Sequence, residues 1–176
     1  MGATTKRYDT SYKKRTDTDH DSYLPLRSPA GVIRCAGCGA FYYRRRWSLS
    51  SPAGFDSARV RRQVYCPACR KIKDHRASGE VRLAGIEAND RREILRILRN
   101  EEARAMEKNP LERIIRLDQL NGDWRIETTS EKLAQRLGRT MKKAKGGKVA
   151  YKWSHNNKFV RVVWENNLRH RAGVVT

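Results

Sequence analysis

Cys35-Ala36-Gly37-Cys38-Gly39 and Cys66-Pro67-Ala68-Cys69-Arg70 are two Cys-x-x-Cys pairs, and their reading decides the fold of the first half of the chain. A two-residue gap lets both thiolates of one turn reach a single metal ion. Two such pairs complete a tetrahedral shell, which suits Zn²⁺ at Zn–S distances of about 2.3 Å. Gly39 suits the tight backbone behind the first pair, where free N–H groups point at sulfur. Phe41-Tyr42-Tyr43 reads as a strand leaving the first pair. Ser48 to Ser57 reads as a loop rich in Ser, Gly and Pro, and Val60 to Tyr65 as a strand returning to the second pair. This strand–loop–strand layout predicts a zinc ribbon over 31–86, with one structural zinc held by Cys35, Cys38, Cys66 and Cys69. A redox centre needs only one such pair, at a helix start. Iron–sulfur ligation is open to four cysteines, but the paired spacing favours zinc. Four thiolates leave no open coordination position, so catalysis by the metal is not expected.

Outward from this module, residues 1–30 mix Lys, Arg, Asp, Ser and Thr without apolar periodicity and read as a disordered basic tail. Glu80 to Ala84 reads as a further strand. Residues 87–110 hold a bridging helix over 90–108, with Asp90 and Glu93 as a capping box and Pro110 as its stop. Its face is expected to be mostly solvated. Residues 111–165 read as a ββαββ unit, a small two-layer sheet with one helix. Leu111 to Leu120 is its first strand, Asn121-Gly122 a hairpin signal, and Trp124 to Thr128 the returning strand. Thr128 and Glu131 offer a second capping box. Leu133, Ala134, Leu137, Met141 and Ala144 share one helical face. Gly146-Gly147 ends the helix, Val149, Tyr151 and Trp153 alternate as in a half-buried strand, and Phe159 to Trp164 is its partner. Residues 166–176 form a polar tail. The expected class is α+β.

The chain has 176 residues, 39 Lys and Arg against 19 acids, and a net charge of +20. Such a charge repels itself unless a polyanion screens it, and the usual polyanion is nucleic acid. Basic and aromatic residues alternate beside the first cysteine pair in Tyr43-Arg44-Arg45-Arg46-Trp47. Arg59, Arg61 and Arg62 approach the second pair, and Arg70 and Lys71 follow it. Guanidinium forks contact phosphates and rings stack on exposed bases. A second patch is Arg139, Lys142, Lys143, Lys145 and Lys148, more cations than a helix dipole attracts. No run approaches a membrane span of about 20 apolar residues, and no signal-peptide core opens the chain. These point to the cytoplasm, or an organellar matrix, with no membrane partner. No phosphate-cradling Gly-x-x-x-x-Gly-Lys loop or nucleophile elbow is present, and the histidines are dispersed, so no enzyme is expected.

The motifs Cys35-x-x-Cys38-Gly39-Ala40, Arg46-Trp47, Cys66-Pro67-Ala68-Cys69, Gly79-Glu80-Val81-x-Leu83-x-Gly85, Asn100-Glu101-Glu102 and Pro110-Leu111-Glu112-Arg113-Ile114 form a connected string. Thr128-Thr129, Leu133-Ala134-x-Arg136-Leu137-Gly138 and Val160-Arg161-Val162-x-Trp164 extend it. The string resembles small bacterial zinc-ribbon relatives of the nonsense-mediated decay protein three family, the large-subunit export adapters. The resemblance implies a zinc-ribbon protein that works on ribosomes, touching ribosomal RNA and ribosomal proteins as an assembly or stability factor. The eukaryotic adapter has more cysteine pairs and carries transport signals that this chain lacks. A zinc-ribbon DNA-binding or transcription factor and a protein–protein adapter are the competing expectations.

Overall fold

The structure, a computed structural model, describes residues 23, 31–54, 63–120, 122–154 and 159–166. These form a mixed α+β protein with two sheets and three helices. The predicted 1–30 tail, except Tyr23, and the predicted contacts Arg59, Arg61 and Arg62 lie outside the described residues. So do Asn121 of the hairpin signal and most of the C-terminal tail.

The first sheet holds β1 (Ile33–Cys35), β2 (Phe41–Tyr43), β3 (Arg46–Ser48) and β4 (Gln63–Val64), in the order β3-β2-β1-β4. The register aligns Ile33 with Tyr42 and Tyr42 with Trp47, so these three share one face. Arg34, Phe41 and Ser48 align on the other face, as the alternation of strand side chains requires. Strand β3, formed because the chain turns back at Arg44-Arg45, ends at Ser48, where the expected loop begins.

The second cysteine pair departs from the ribbon expectation. It does not form a second turn between strands but opens helix α1 (Pro67–Lys73), with Cys66 as the N-cap and its sulfur accepting from the Cys69 N–H. Pro67 at the first helical position explains this, since its fixed φ suits the helix and its missing N–H costs nothing there.

The second sheet contains β5 (Gly79–Ala84), β6 (Ile114–Leu120), β7 (Asp123–Thr128), β8 (Lys148–Trp153) and β9 (Val160–Glu165), ordered β6-β7-β5-β9-β8. Strand β5, expected within the metal module, is its centre: antiparallel to β7 and parallel to β9. The physical reason is burial. Val81 and Leu83 are fully buried, and both edges of the strand are hydrogen-bonded. The predicted ββαββ elements occur in that chain order, but β5 separates their two hairpins, so they are not a sheet by themselves.

Helix α3 (Glu131–Lys145) covers one face of this sheet, and α2 (Arg91–Lys108) packs against α3. The core joins Ile94, Leu98 and Ala105 of α2 and Leu133, Leu137 and Met141 of α3 to Val81, Leu83, Trp124, Ile126, Val162 and Trp164. Helix α2 is therefore part of the core rather than a wet bridge. Its Glu101 pairs with Arg136 of α3 at 2.8 Å, and Glu102 accepts from the Ile114 N–H at 2.7 Å.

Both capping boxes are corrected. Asp90 is in the helical region and makes no cap bond; its carboxylate and that of Glu93 turn to Lys145. Ser130, not Thr128, caps α3, its Oγ accepting from the Leu133 N–H at 3.2 Å. Thr128 is still within β7, where its hydroxyl donates to the Gly79 carbonyl. Ala144 is exposed, past the end of the packed face. Tyr151 and Trp153 are 40% and 44% exposed rather than half-buried, because β8 is an edge strand at the margin of the helix layer.

Gly138 explains how closely α3 approaches the sheet. A Cβ there would stand 2.5 Å from Val162 Cγ1 and 3.3 Å from Val149 Cγ1. Gly138→Ala gains about 1 kcal/mol of helix propensity. It overpacks stiff, β-branched neighbours, which costs about 1–3 kcal/mol. The second effect wins, so the variant is expected to show a lower urea midpoint at unchanged slope; a raised midpoint would refute this packing account.

Candidate metal centre

The four sulfurs converge. Cys35 and Cys66 are buried, Cys38 and Cys69 partly so, and all four Sγ atoms lie within 4.8 Å of one another. None is in a disulfide. The Cys38 and Cys66 sulfurs are 3.8 Å apart, far beyond a disulfide bond of about 2.05 Å. They match the edge of a tetrahedron with metal–sulfur distances of about 2.3 Å, which is about 3.8 Å. The cluster can thus coordinate one metal ion.

Two local structures deliver these sulfurs. The turn after β1 returns through the Gly39 N–H donating to the Cys35 carbonyl at 3.0 Å. It also presents the Gly37 N–H to Cys35 Sγ at 3.4 Å. Gly37 has to be small: a Cβ would stand 2.9 Å from Cys69 Sγ. The start of α1 supplies the other half. Its Cys66 N–H donates to Cys35 Sγ at 3.2 Å, and the Cys69 N–H to Cys66 Sγ at 3.4 Å. These N–H groups favour thiolates, as metal ligation requires.

The crowding splits the thiols by proton affinity. A hydrogen bond from Cys66 pulls Cys38 down to about 5. The same bond, seen from the donor, pushes Cys66 upward, with burial adding to it. Burial chiefly raises Cys69 to about 12. A bound cation favours the thiolate at every ligand, so binding releases protons.

Sequence reasoning missed Arg113. Its guanidinium reaches from the start of the second half to Cys69 Sγ at 3.5 Å, across 44 residues of chain. It brings positive charge to a cluster that gathers negative charge on binding a metal. Arg113 stands in the motif string that carries the resemblance, but nothing local to it points to the cysteines. Lys71, a predicted contact, is likewise engaged at this junction, donating to Ser78 Oγ at 3.1 Å and to the Thr129 carbonyl at 3.5 Å. Arg70 is exposed and its guanidinium stands 5.1 Å from the Tyr23 ring.

The predicted basic and aromatic cluster forms the β2–β3 hairpin. Tyr43, Arg44, Arg45 and Arg46 are exposed, while Trp47 is half-buried against Tyr42 with ring centroids 5.2 Å apart. Trp47 also packs on the cysteine cluster, so it belongs to the small core. The turn residues Arg44 and Arg45 have φ of 48° and 63°. A two-residue turn of this kind needs φ > 0 at both positions and favours Asn-Gly. Non-glycine residues held there cost about 1–3 kcal/mol each. Among the described residues, none of Arg44, Arg45 and Arg46 has a carboxylate in ion-pair range.

The second patch divides. Arg139, Lys142 and Lys143 on α3 and Lys148 at the start of β8 are exposed, again with no described carboxylate paired to them. Lys145 is mostly covered, and hydrogen bonds from its ammonium to Glu93 and then Asp90 raise its pKa. On the open face of the second sheet Arg82 pairs with Asp123, Arg125 with Glu80 and Glu127, and Arg116 with Asp118, while Lys152 and Arg161 have no described carboxylate partner. Among the described residues, exposed cations without a carboxylate partner stand on the hairpin and the outer face of α3, and also on α2 at Arg91, Arg92, Arg96 and Arg104.

The chain is a mixed α+β protein with a four-cysteine cluster able to hold one metal ion. No family model matches it, and no curated protein or solved structure is found to be similar to it. No described helix is long and apolar enough to cross a membrane.

Proposed function

We propose that this is a zinc-stabilised, non-enzymatic RNA-binding protein that associates with the ribosome in the cytoplasm or an equivalent compartment. The donor set supports zinc: four thiolates at tetrahedral spacing form the closed shell of a structural site, which organises its surroundings and leaves no position for substrate. The observation that carries RNA binding is the β2–β3 hairpin. It holds three consecutive arginines and a tyrosine in water, beside the metal centre, in a turn whose backbone would be more relaxed with other residues. A purely structural hairpin has no reason to keep that strain. Phosphate contacts by Arg44, Arg45 and Arg46 supply one, since strained backbone persists where function uses it.

The outer face of α3, with Arg139, Lys142 and Lys143, supplies a second phosphate-binding surface, and Lys148 adds a cation at the start of β8, on the open face of the sheet. The ribosome as the particle rests on the family resemblance, together with a charge that matches a large folded RNA. Sedimentation through a sucrose gradient tests it. The tagged protein is expected to co-migrate with one ribosomal subunit at low salt and to be released by ribonuclease or moderate salt. Migration at the top of the gradient in every condition would set the ribosome aside.

A further inference from the structure

We infer that the outer face of the first sheet holds a subsite for one unpaired nucleotide of an RNA chain, an inference that rests on the RNA-binding reading above. A groove of 420 Å³ runs along this face, walled by Phe41, Tyr43, Arg44 and Arg46 on one side and Ser51 and Pro52 on the other. Its size falls among pockets that take one small-molecule-sized group, about 300–1,000 Å³. A nucleotide is such a group; the side of a duplex is not.

The lining chemistry is divided as a nucleotide is. Phe41 and Tyr43 alternate with buried Tyr42 on β2, so both rings stand on the outer face. Each already carries a cation: Arg34 stands 5.8 Å from the Phe41 ring centre, and Arg44 5.2 Å from that of Tyr43. Arg46 lies opposite Tyr43 in the register. A base set against Tyr43 thus has guanidinium groups beside its own phosphate. Pro52 and the serines form a wall without charge that excludes neither base nor sugar. The left-handed backbone at Arg44 and Arg45 determines where the turn, and with it the Arg44 side chain, departs from the strands. Single-stranded RNA recognition uses this pairing of ring and cation, because every base has a stacking face.

Binding of full-length, zinc-loaded protein to two stem–loop RNAs tests the subsite: one fully paired in its stem, one with a single bulged nucleotide. The bulged RNA is expected to bind about tenfold more tightly, the contribution of one stacked base. Ser51→Trp, which fills the groove without removing charge, is expected to bring that ratio to about one. Retained zinc in the variant shows that the module is folded. As a second measurement, a photoreactive bulged base is expected to cross-link within 41–52 rather than to α3. Equal affinity for the two RNAs, or cross-links confined to α3, would overturn the subsite while leaving RNA binding intact. Binding to neither RNA would overturn both. Saturable binding of a free nucleoside monophosphate at comparable concentration would reassign the groove to a small ligand.

Discussion

Replacing Cys35 by serine will release the metal and unfold the first sheet and helix α1, while the second sheet remains folded. The sulfur of Cys35 is buried and accepts from two backbone N–H groups, one from each half of the site. Among the described residues the module has little else to hold it. Its described core consists of Cys35, Ala40, Cys66 and Ala68, with Cys38, Trp47, Cys69 and Leu111 packed at its edge, and Ile33 and Tyr42 are buried on the first sheet. Burying so few side chains contributes several kcal/mol, at about 25 cal/mol per Å². Apparent binding energies of about 10–16 kcal/mol for structural zinc exceed that. Metal binding and folding of this half are therefore one event. The second half contains two buried tryptophans, Trp124 and Trp164, and the aliphatic layer beneath α2 and α3, so it does not depend on the metal. Elemental analysis is expected to show one zinc per wild-type chain and none in the variant. Circular dichroism is expected to retain the signal of α2 and α3. Full metal retention by Cys35→Ser would refute the assignment of the ligands.

Converting Arg44, Arg45 and Arg46 together to glutamine should weaken RNA binding about a hundredfold at moderate salt, taking about 1 kcal/mol for each phosphate contact. The slope of log affinity against log salt should become shallower by about three, because three fewer counterions are released. Glutamine is no easier to hold at positive φ than arginine, so the fold should be unaffected. A companion variant separates contact from structure. Arg44→Asn with Arg45→Gly places the preferred pair in the turn, and relief of the strain should raise stability by about 1–2 kcal/mol. The same change should lower RNA affinity. Stability rising while binding falls is what strain retained for function produces, and a purely structural hairpin does not produce it. Unchanged affinity in both variants would move the contact surface to Lys142 and Lys143 on α3.

Much of the site was legible because its signals are local. Cysteines two apart bring their sulfurs together within one turn, whether strand or helix follows. The run Tyr43-Arg44-Arg45-Arg46 had to be exposed somewhere, since no small core accommodates three unpaired guanidinium groups. The packed face of α3 followed from the spacing of Leu133, Ala134, Leu137 and Met141, which the helix pitch places on one side. The capping expectations failed for an equally physical reason. Asp90 has the right residue type, but Lys145, far along the chain, competes for its carboxylate.

What the sequence by itself determined was the chemistry available: four soft ligands in two pairs, a large cationic excess, and helices with defined apolar faces. What only the tertiary structure decided was partnership. Strand β5 reads the same whether it closes the metal module or centres the second sheet. Its place between β7 and β9 depends on hydrogen bonds to strands 40 and more residues away, which no local pattern encodes. Arg113 beside Cys69, and the division of the lysines into paired Lys145 and unpaired Lys142 and Lys143, have the same origin. A charged side chain shows its sign in the sequence, but the neighbours that neutralise it, or leave it free to meet a phosphate, are set by how distant segments pack.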